Sequence, residues 1–365
     1  MTPRFETRPA VPNDSAALLN LIDQTPQQGP VHLNFERNPD FFHATQVTTT
    51  ELDVWVITDL EKDTLLASFS IGKREVYVDG KKRMTRYGND LRIHQDYRGG
   101  KALAEVFRKY REVMQDEWMQ SVILEENKAS LNSVASGRGG FPTFYQTGQF
   151  LTHMVDMNKK QFKSVTSSVR RATDADKETM QAFFDLHAPS KEFYPCYDFS
   201  KIGTNASYYR DINIEDFFLA YRGETLIGVC GVWDQKAFKQ TRFVSYEGKM
   251  KILRHINNAK SKLFGGLQLP KPGNLASYLS LHSVLCEDNQ VETFKDLLNR
   301  ILETYHGSQY EALIFGFDLR DPLHQASKGL KAYQLLSNHY LASYVSNPSD
   351  ELDQQRLFYL EPTRL

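Results

Sequence analysis

Residues 91–103 combine the side chains and backbone groups that best suit an anionic ligand. Leu91 and Ile93 alternate with polar neighbours, which is typical of a half-buried strand. After Arg98-Gly99-Gly100 the apolar residues recur at helical spacing: Leu103, Val106, Phe107, Tyr110, Val113 and Met114. The first N–H groups of a helix lack intrahelical partners and carry partial positive charge, and glycines let backbone amides approach a ligand closely. With the cations of Arg98 and Lys101, this turn is predicted to bind a diphosphate.

The order of residues in this turn resembles the coenzyme A site of the GCN5-related N-acetyltransferases, the GNAT superfamily. The family motif reads roughly V-x-P-x-x-R-G-x-G-x-G/A, and the stretch from Ile93 to Leu103 matches its strand, Arg98 and Gly99. It departs at Lys101 and Leu103, where the family usually has Gly and then Gly or Ala. The resemblance implies a set of residues that bind coenzyme A: Leu91 and Ile93 through their backbone, and Arg98, Gly99, Gly100, Lys101 and Ala102. An ordinary helix start with a solvated Arg and Lys is the alternative, because short motifs often match by chance.

Composition narrows the class of protein. A chain of 365 residues predicts about two domains, each with its own core. The net charge of −1 offers no general attraction for nucleic acid. Three widely spaced cysteines form no C-x-x-C pair, which argues against a zinc site or a disulfide framework and favours a reducing cytoplasm. The sequence contains no apolar run of about 18 residues, so no transmembrane segment is predicted. We therefore expect a cytoplasmic protein without a metal, and the oligomeric state stays open.

An internal repeat organises the chain. Four residues recur at one constant offset: Arg8, Ala10, Asp14 and Asp23 match Arg170, Ala172, Asp176 and Asp185. Each copy is predicted to contain a short strand, an amphipathic helix, two strands, a central strand, a second helix and a further strand. Asp79-Gly80 adds a predicted hairpin to the first copy. We predict a mixed α/β (α+β) fold written twice, with domains at 1–160 and 161–365.

This order of elements is also that of a GNAT domain, so the resemblance extends over nearly the whole chain as a tandem pair. It implies transfer of an acyl group, most simply from acetyl-CoA, to the amine of a small molecule or peptide by direct attack, without a metal. The second copy has Glu287-Asp288-Asn289-Gln290 where the first has Arg98-Gly99-Gly100. Carboxylates repel a diphosphate, so we expect a single cofactor site, in residues 1–160.

Several residues are candidates for the chemistry of transfer. An amine is mostly protonated at neutral pH and needs a base, and Glu125 ends the fifth predicted strand, where the family often places one. The family also suggests that Asn132 contacts the pantetheine and that Tyr145 protonates the departing thiolate. Glu125 and Tyr145 also have plainer interpretations, as a solvated glutamate and a buried structural tyrosine. His94, on the central strand, is more often a structural residue than a base.

Two further segments leave alternatives open. Glu36 and Arg37 fall in the segment that lines the acceptor pocket in members of the family that the sequence resembles. They could equally form a surface ion pair. Within 246–274 an apolar helical stripe is flanked by lysines, and we expect this helix to pack on its own domain. A basic amphipathic helix can instead lie on anionic lipid. Two rival functions stay open. One is a non-catalytic acyl-CoA-binding sensor or scaffold, in which the departures from the family motif at Lys101 and Leu103 no longer support turnover. The other is a longer-chain acyltransferase that acts at a membrane surface through this helix.

Overall fold

The computed structural model describes residues 4–98, 100–134, 140–158, 160 and 168–365. Its strands are β1 (Phe5–Pro9), β2 (Val31–Glu36), β3 (Val54–Asp59), β4 (Thr64–Ser70), β5 (Lys73–Val78), β6 (Lys81–Tyr87), β7 (Asn89–Ile93), β8 (Met119–Leu124), β9 (Thr143–Asp156), β10 (Ser168–Arg171), β11 (Phe217–Arg222), β12 (Thr225–Trp233), β13 (Gln240–Tyr246), β14 (Tyr278–Cys286), β15 (Ala312–Asp318) and β16 (Ala332–Ser343). Its α-helices are α1 (Ser15–Gln24), α2 (Phe41–Thr45), α3 (Lys101–Met114), α4 (Lys128–Val134), α5 (Lys177–His187), α6 (Met250–Phe264) and α7 (Val291–Thr304).

The predicted duplication is visible in the order of the strands. One sheet has the order β1-β3-β4-β7, and the second half repeats it as β10-β11-β12-β14 at one end of a ten-stranded sheet. That sheet continues as β15-β9-β16-β8-β6-β5, and β13 and β2 form a separate antiparallel pair. The mixed α/β fold in two tandem units, predicted from the repeat, is confirmed.

Local patterns in the sequence correspond closely to the elements. The apolar face of α3 is buried at Leu103, Val106 and Tyr110 against β3 and β4. The Asp79-Gly80 turn joins β5 to β6 with φ values of 50° and 74°, and glycine adopts such positive values without strain. The helical period of α3 therefore predicted which of its side chains face the core. The strand predicted at Leu91 and Ile93 is present as β7, but Leu91 is 39% exposed, because a bulge interrupts the pairing of β7 with β4.

The halves are joined by exchanged strands, which the repeat did not predict. β9, from the first half, pairs antiparallel with β15 of the second half, and β16 pairs antiparallel with β8 of the first. β9 and β16 also pair with each other along nearly their whole length. The core of each half is thus completed by the other. The domain boundary after residue 160 stays a prediction, since it adjoins 161–167, which lie outside the described residues.

The helix predicted within 246–274 is α6, but the expectation that its apolar stripe packs on its own domain is wrong. Ile252, Ile256 and Leu263 are 68%, 58% and 77% exposed. The polar face of the helix packs inward instead, because its side chains hydrogen-bond to the carbonyl groups of residues 267–270. Among the described residues, no helix is long and apolar enough to cross a membrane.

Candidate functional site

A fork between two strands lies next to the predicted diphosphate turn. β6 runs parallel to β8 at Arg86 and Tyr87, and the N–H of Gly88 donates to the carbonyl of Gln120 at 2.8 Å. A Cβ on Gly88 would lie 2.3 Å from the sulfur of Met119, so any larger residue here would have to displace that side chain. Beyond Gly88 the chain enters β7 and pairs with β4, while β8 pairs with β16. The strands therefore diverge; we call the space between β7 and β8 the first fork.

A bulge projects the backbone of β7 out of its ladder. Ser70 and Ser68 of β4 lie opposite Asn89 and Arg92, which leaves Asp90 and Leu91 within the bulge. The φ of Asp90 is 49°, in the left-handed region. The second half repeats this feature, because Ser283 has a φ of 52° between the paired residues His282 and Leu285. Asp90-Leu91 and Ser283-Val284 are therefore equivalent positions.

The two forks differ in what meets these backbone groups. In the second fork, between β14 and β15, the N–H of Ser283 donates to the Glu361 carboxylate at 2.8 Å. The N–H of Val284 donates to the Tyr359 hydroxyl at 2.9 Å. Among the described residues, no side chain accepts a hydrogen bond from the N–H of Asp90 or Leu91. The chain itself thus occupies the second fork, whereas the described part of the chain places no side-chain acceptor on the equivalent N–H groups of the first.

Arg364 holds the occupying segment in the second fork. Its guanidinium pairs with Glu361 at 2.8 Å, and both side chains are 0% exposed. It also lies 3.7 Å from the centre of the Tyr208 ring and donates to the Tyr208 carbonyl at 2.8 Å. Sequence reasoning expected the second site to be lost through Glu287 and Asp288. The structure adds a buried ion pair, formed by residues at the far end of the chain.

The predicted diphosphate turn leads from β7 into α3. Arg98 and Lys101 are exposed, and Gly100 is the N-cap of α3, which has no side-chain capping hydrogen bond. Gly99 lies outside the described residues. Ala102 is 1% exposed, so its methyl group faces the core and only its backbone can face a ligand. The helix start therefore presents uncapped N–H groups with two exposed cations beside them.

A third cation near this turn was missed in the sequence. The turn between β3 and β4 brings Lys62 to 5.4 Å from the centre of the Tyr97 ring. The Tyr97 hydroxyl in turn donates to Asp59 at 3.3 Å. Hydrogen bonds from Arg4 hold the pKa of Asp59 below its ordinary value. The only sequence feature at Lys62 was a polar turn, and its proximity to Tyr97 depends on the pairing of β4 with β7.

The other candidate residues are spread around the first fork. Glu125 is exposed and directly follows β8, and Asn132 is exposed on α4. Tyr145 lies on β9 opposite Leu341 of β16, which itself lies opposite Gln120 of β8. Two strand spacings therefore separate Tyr145 from β8, and the roles proposed for Glu125, Asn132 and Tyr145 remain predictions.

His94 has a structural contact. Its Nδ1 accepts a hydrogen bond from the N–H of Asp96 at 3.4 Å, and so caps the short 3₁₀ turn before Arg98. The backbone N–H of His94 donates to the carbonyl of Leu66 at 2.7 Å. These contacts agree with the structural interpretation of this residue.

Glu36 and Arg37 do not form a surface ion pair. Arg37 is buried and donates to both carboxylate oxygens of Asp90, each at 3.2 Å. Burial opposes ionisation of Asp90, but Arg37 and Arg92 hold its pKa below the ordinary value. Glu36 pairs across the halves with Arg242, whose Nη2 lies 2.9 Å from its carboxylate, as β2 pairs with β13. This contact attaches the second half beside the first fork.

Two clefts lie outside the first fork. A cleft of about 1060 Å³ is lined by α5 and by residues of 196–209, with Glu75 and Lys82 from the first half. A smaller one of about 410 Å³ lies against α3, between Arg108 and Phe141. Within the described residues, no group of three or more His, Cys, Asp or Glu side chains is placed to hold a metal ion.

The strand order, the fork and the following helix define the fold of the GNAT-type N-acyltransferases, and the resemblance in fold is confirmed. Saccharomyces cerevisiae N-myristoyltransferase with bound myristoyl-CoA is similar over 95% of this chain and 81% of its own, at a TM-score of 0.60 and 10% identity. A GCN5-related N-acetyltransferase from Sphaerobacter thermophilus is similar over 95% of this chain and 98% of its own, at a TM-score of 0.55 and 11% identity. A probable N-acyltransferase from Enterococcus faecalis is similar over 93% of this chain and 72% of its own, at a TM-score of 0.51 and 9% identity. No protein-family model and no curated protein matches the sequence.

Proposed function

We propose that this protein transfers an acyl group, most simply acetyl, from acyl-CoA to an amine, and that the reaction takes place in the first fork. The observation that carries the proposal is the contrast between the forks. Glu361 and Tyr359 cap the bulge of β14, whereas the equivalent bulge of β7 is free of such side chains among the described residues. A ligand that adds to this edge as an extra strand gains backbone hydrogen bonds there.

The residues around the first fork suit the parts of acyl-CoA. Arg98, Lys101 and Lys62 supply positive charge for the diphosphate, and the backbone of Gly99, Gly100 and Ala102 supplies N–H donors. The backbone of Leu91 and Ile93 binds the pantetheine arm, with Asn132 beside it. This assignment also places the thioester near the bulge, where a backbone N–H can stabilise the developing oxyanion.

Transfer takes place by direct attack. The amine nitrogen attacks the thioester carbonyl carbon, the C–S bond breaks, and the thiolate leaves with the electron pair. Glu125 takes the proton that the amine loses, and Tyr145 donates a proton to the thiolate and regains one from solvent. The acceptor enters beside β2 and β13, where Glu36 pairs with Arg242 across the two halves and Arg37 pairs with Asp90 within the first half.

Titration calorimetry with coenzyme A, acetyl-CoA and myristoyl-CoA tests the site. We expect one molecule bound per chain, because the second fork is occupied by the chain. Release of free thiol in the presence of a panel of amines and peptides then measures transfer. Two molecules per chain, or none, would contradict the proposal, and binding without transfer to any amine would favour a sensor or scaffold.

A further inference from the structure

The outward face of α6 is apolar. Ile252, Leu253, Ile256 and Leu263 are 68%, 47%, 58% and 77% exposed. At 100° per residue these four side chains fall within an arc of about 100°. Exposed apolar residues that occur singly are ordinary, but a contiguous stripe marks an interaction surface.

The inward face of α6 is polar and fully engaged. Arg254 donates to the Pro270 carbonyl at 2.9 Å, Asn257 to the Leu267 carbonyl at 3.0 Å and Asn258 to the Leu269 carbonyl at 2.9 Å. Tyr333 of β16 also donates to Asn257. A surface helix normally buries its apolar face and exposes its polar one. In α6 this orientation is reversed: the polar side chains hydrogen-bond to the protein, and the apolar stripe faces outward.

The charge of this segment has one sign. Residues 248–264 contain Lys249, Lys251, Arg254, Lys260 and Lys262 and no acidic residue. Lys249 and Lys260 lie on the same side of the helix as the apolar stripe, and Lys262 is also exposed. Long lysine side chains can extend past buried apolar neighbours to keep their charge in water or at phosphate groups.

We propose that α6 is a docking surface for an anionic lipid bilayer, with the helix lying in the plane of the interface. The apolar stripe enters the boundary between headgroups and acyl chains, and the lysines contact lipid phosphates and carboxylates. A second copy of this chain fits less well, because two such helices repel each other. The inference is independent of acyl transfer and concerns where the protein acts.

Vesicle flotation tests the docking surface without any coenzyme A, so its outcome does not depend on the proposed function. We expect the protein to float with phosphatidylcholine–phosphatidylserine vesicles, to bind pure phosphatidylcholine at least about tenfold more weakly, and to be released by high salt. The triple variant Ile252→Ser, Ile256→Ser, Leu263→Ser should lose binding at least about tenfold. So should the variant Lys249→Glu, Lys260→Glu, Lys262→Glu.

The matched control removes three exposed apolar side chains elsewhere. The variant Leu60→Ser, Leu186→Ser, Val345→Ser should float like the unchanged protein, since these residues are 47%, 73% and 61% exposed in separate places. Equal binding to neutral and anionic vesicles would overturn the proposal. So would absence of the unchanged protein from both vesicle fractions, which is the result expected if the surface serves a protein partner.

Discussion

Arg8 donates to both carboxylate oxygens of Asp14, at 2.7 and 2.8 Å, and Arg170 does the same to Asp176 at 2.8 and 2.6 Å. Each aspartate also accepts a backbone N–H at 2.8 Å from the residue three positions before it. The arginines hold the pKa of both aspartates below the ordinary value. These repeated residues fasten the turn between the first strand and first helix of each half. Their recurrence therefore has a structural cause and marks the duplication rather than the chemistry.

Arg98→Glu should weaken coenzyme A binding at least about a hundredfold, because it places a negative charge beside a diphosphate in place of a positive one. Since Arg98 is exposed, the melting temperature should stay within a few degrees. Calorimetry measures the affinity. The control Lys236→Glu changes an exposed cation outside the first fork and should bind like the unchanged protein. Unchanged affinity in Arg98→Glu would refute this placement of the site.

Gly100→Val tests whether the backbone at the start of α3 must approach the ligand closely. The nearest atom to a Cβ at this position is the Tyr97 carbonyl oxygen, at 3.6 Å, so a Cβ makes only an ordinary van der Waals contact with the protein. We expect stability to fall by only about 1 kcal/mol, as for a poorer N-cap, and coenzyme A affinity to fall about tenfold. Urea unfolding and calorimetry measure the two effects. Gly29→Val, remote from α3, is the control; equal affinity in both variants would argue against backbone contact.

Arg364→Ala should destabilise the protein by about 3–5 kcal/mol, because it leaves the Glu361 carboxylate buried without its partner. The matched control is Arg300→Ala. Arg300 and Glu303 form another Arg–Glu pair at 2.8 Å, but these side chains are 40% and 48% exposed, so we expect a loss within about 1 kcal/mol. Urea unfolding measures both variants. Similar losses would show that the segment occupying the second fork contributes little to stability.

His339 should make stability depend on pH. Burial, with a contribution from Arg74, lowers the pKa of this histidine to about 3. In the unfolded chain the pKa is about 6.5, so below that pH the unfolded state binds the proton first. Stability is therefore lost as the pH falls from about 6.5 towards 3, by about 2 kcal/mol at pH 5.

The variant His339→Gln isolates this effect, since an amide can also hydrogen-bond to Gln120 and Thr147. Its unfolding free energy should change less between pH 7 and pH 5 than that of the unchanged protein, by about 2 kcal/mol. His255→Gln, at an exposed position on α6, is the control and should keep the full pH dependence. An identical pH dependence in the His339 variant would contradict the assigned pKa.

The sequence by itself determined the elements and their duplication. The helical spacing from Leu103 to Met114, the alternation at Leu91 and Ile93 and the Asp79-Gly80 turn all reflect short-range backbone geometry. Such patterns depend on neighbours within a few residues, so they can be recognised in the sequence without knowing which element packs against them. The candidate diphosphate turn is local in the same sense, because Arg98, Gly100 and Lys101 lie within four residues of each other.

Only the tertiary structure decided which residues each strand edge and each helix face contacts. The exchange of β9 and β16, the capping of Ser283 by Glu361 and the approach of Lys62 to Tyr97 join residues that are distant in the chain. The orientation of α6 is a further case, since its periodicity predicted an apolar face but not its direction. Hydrogen bonds to the carbonyls of residues 267–270 turned that face outward. The local sequence specifies the edge of a strand or the apolar face of a helix. The element that packs against it is set by the fold of the whole chain.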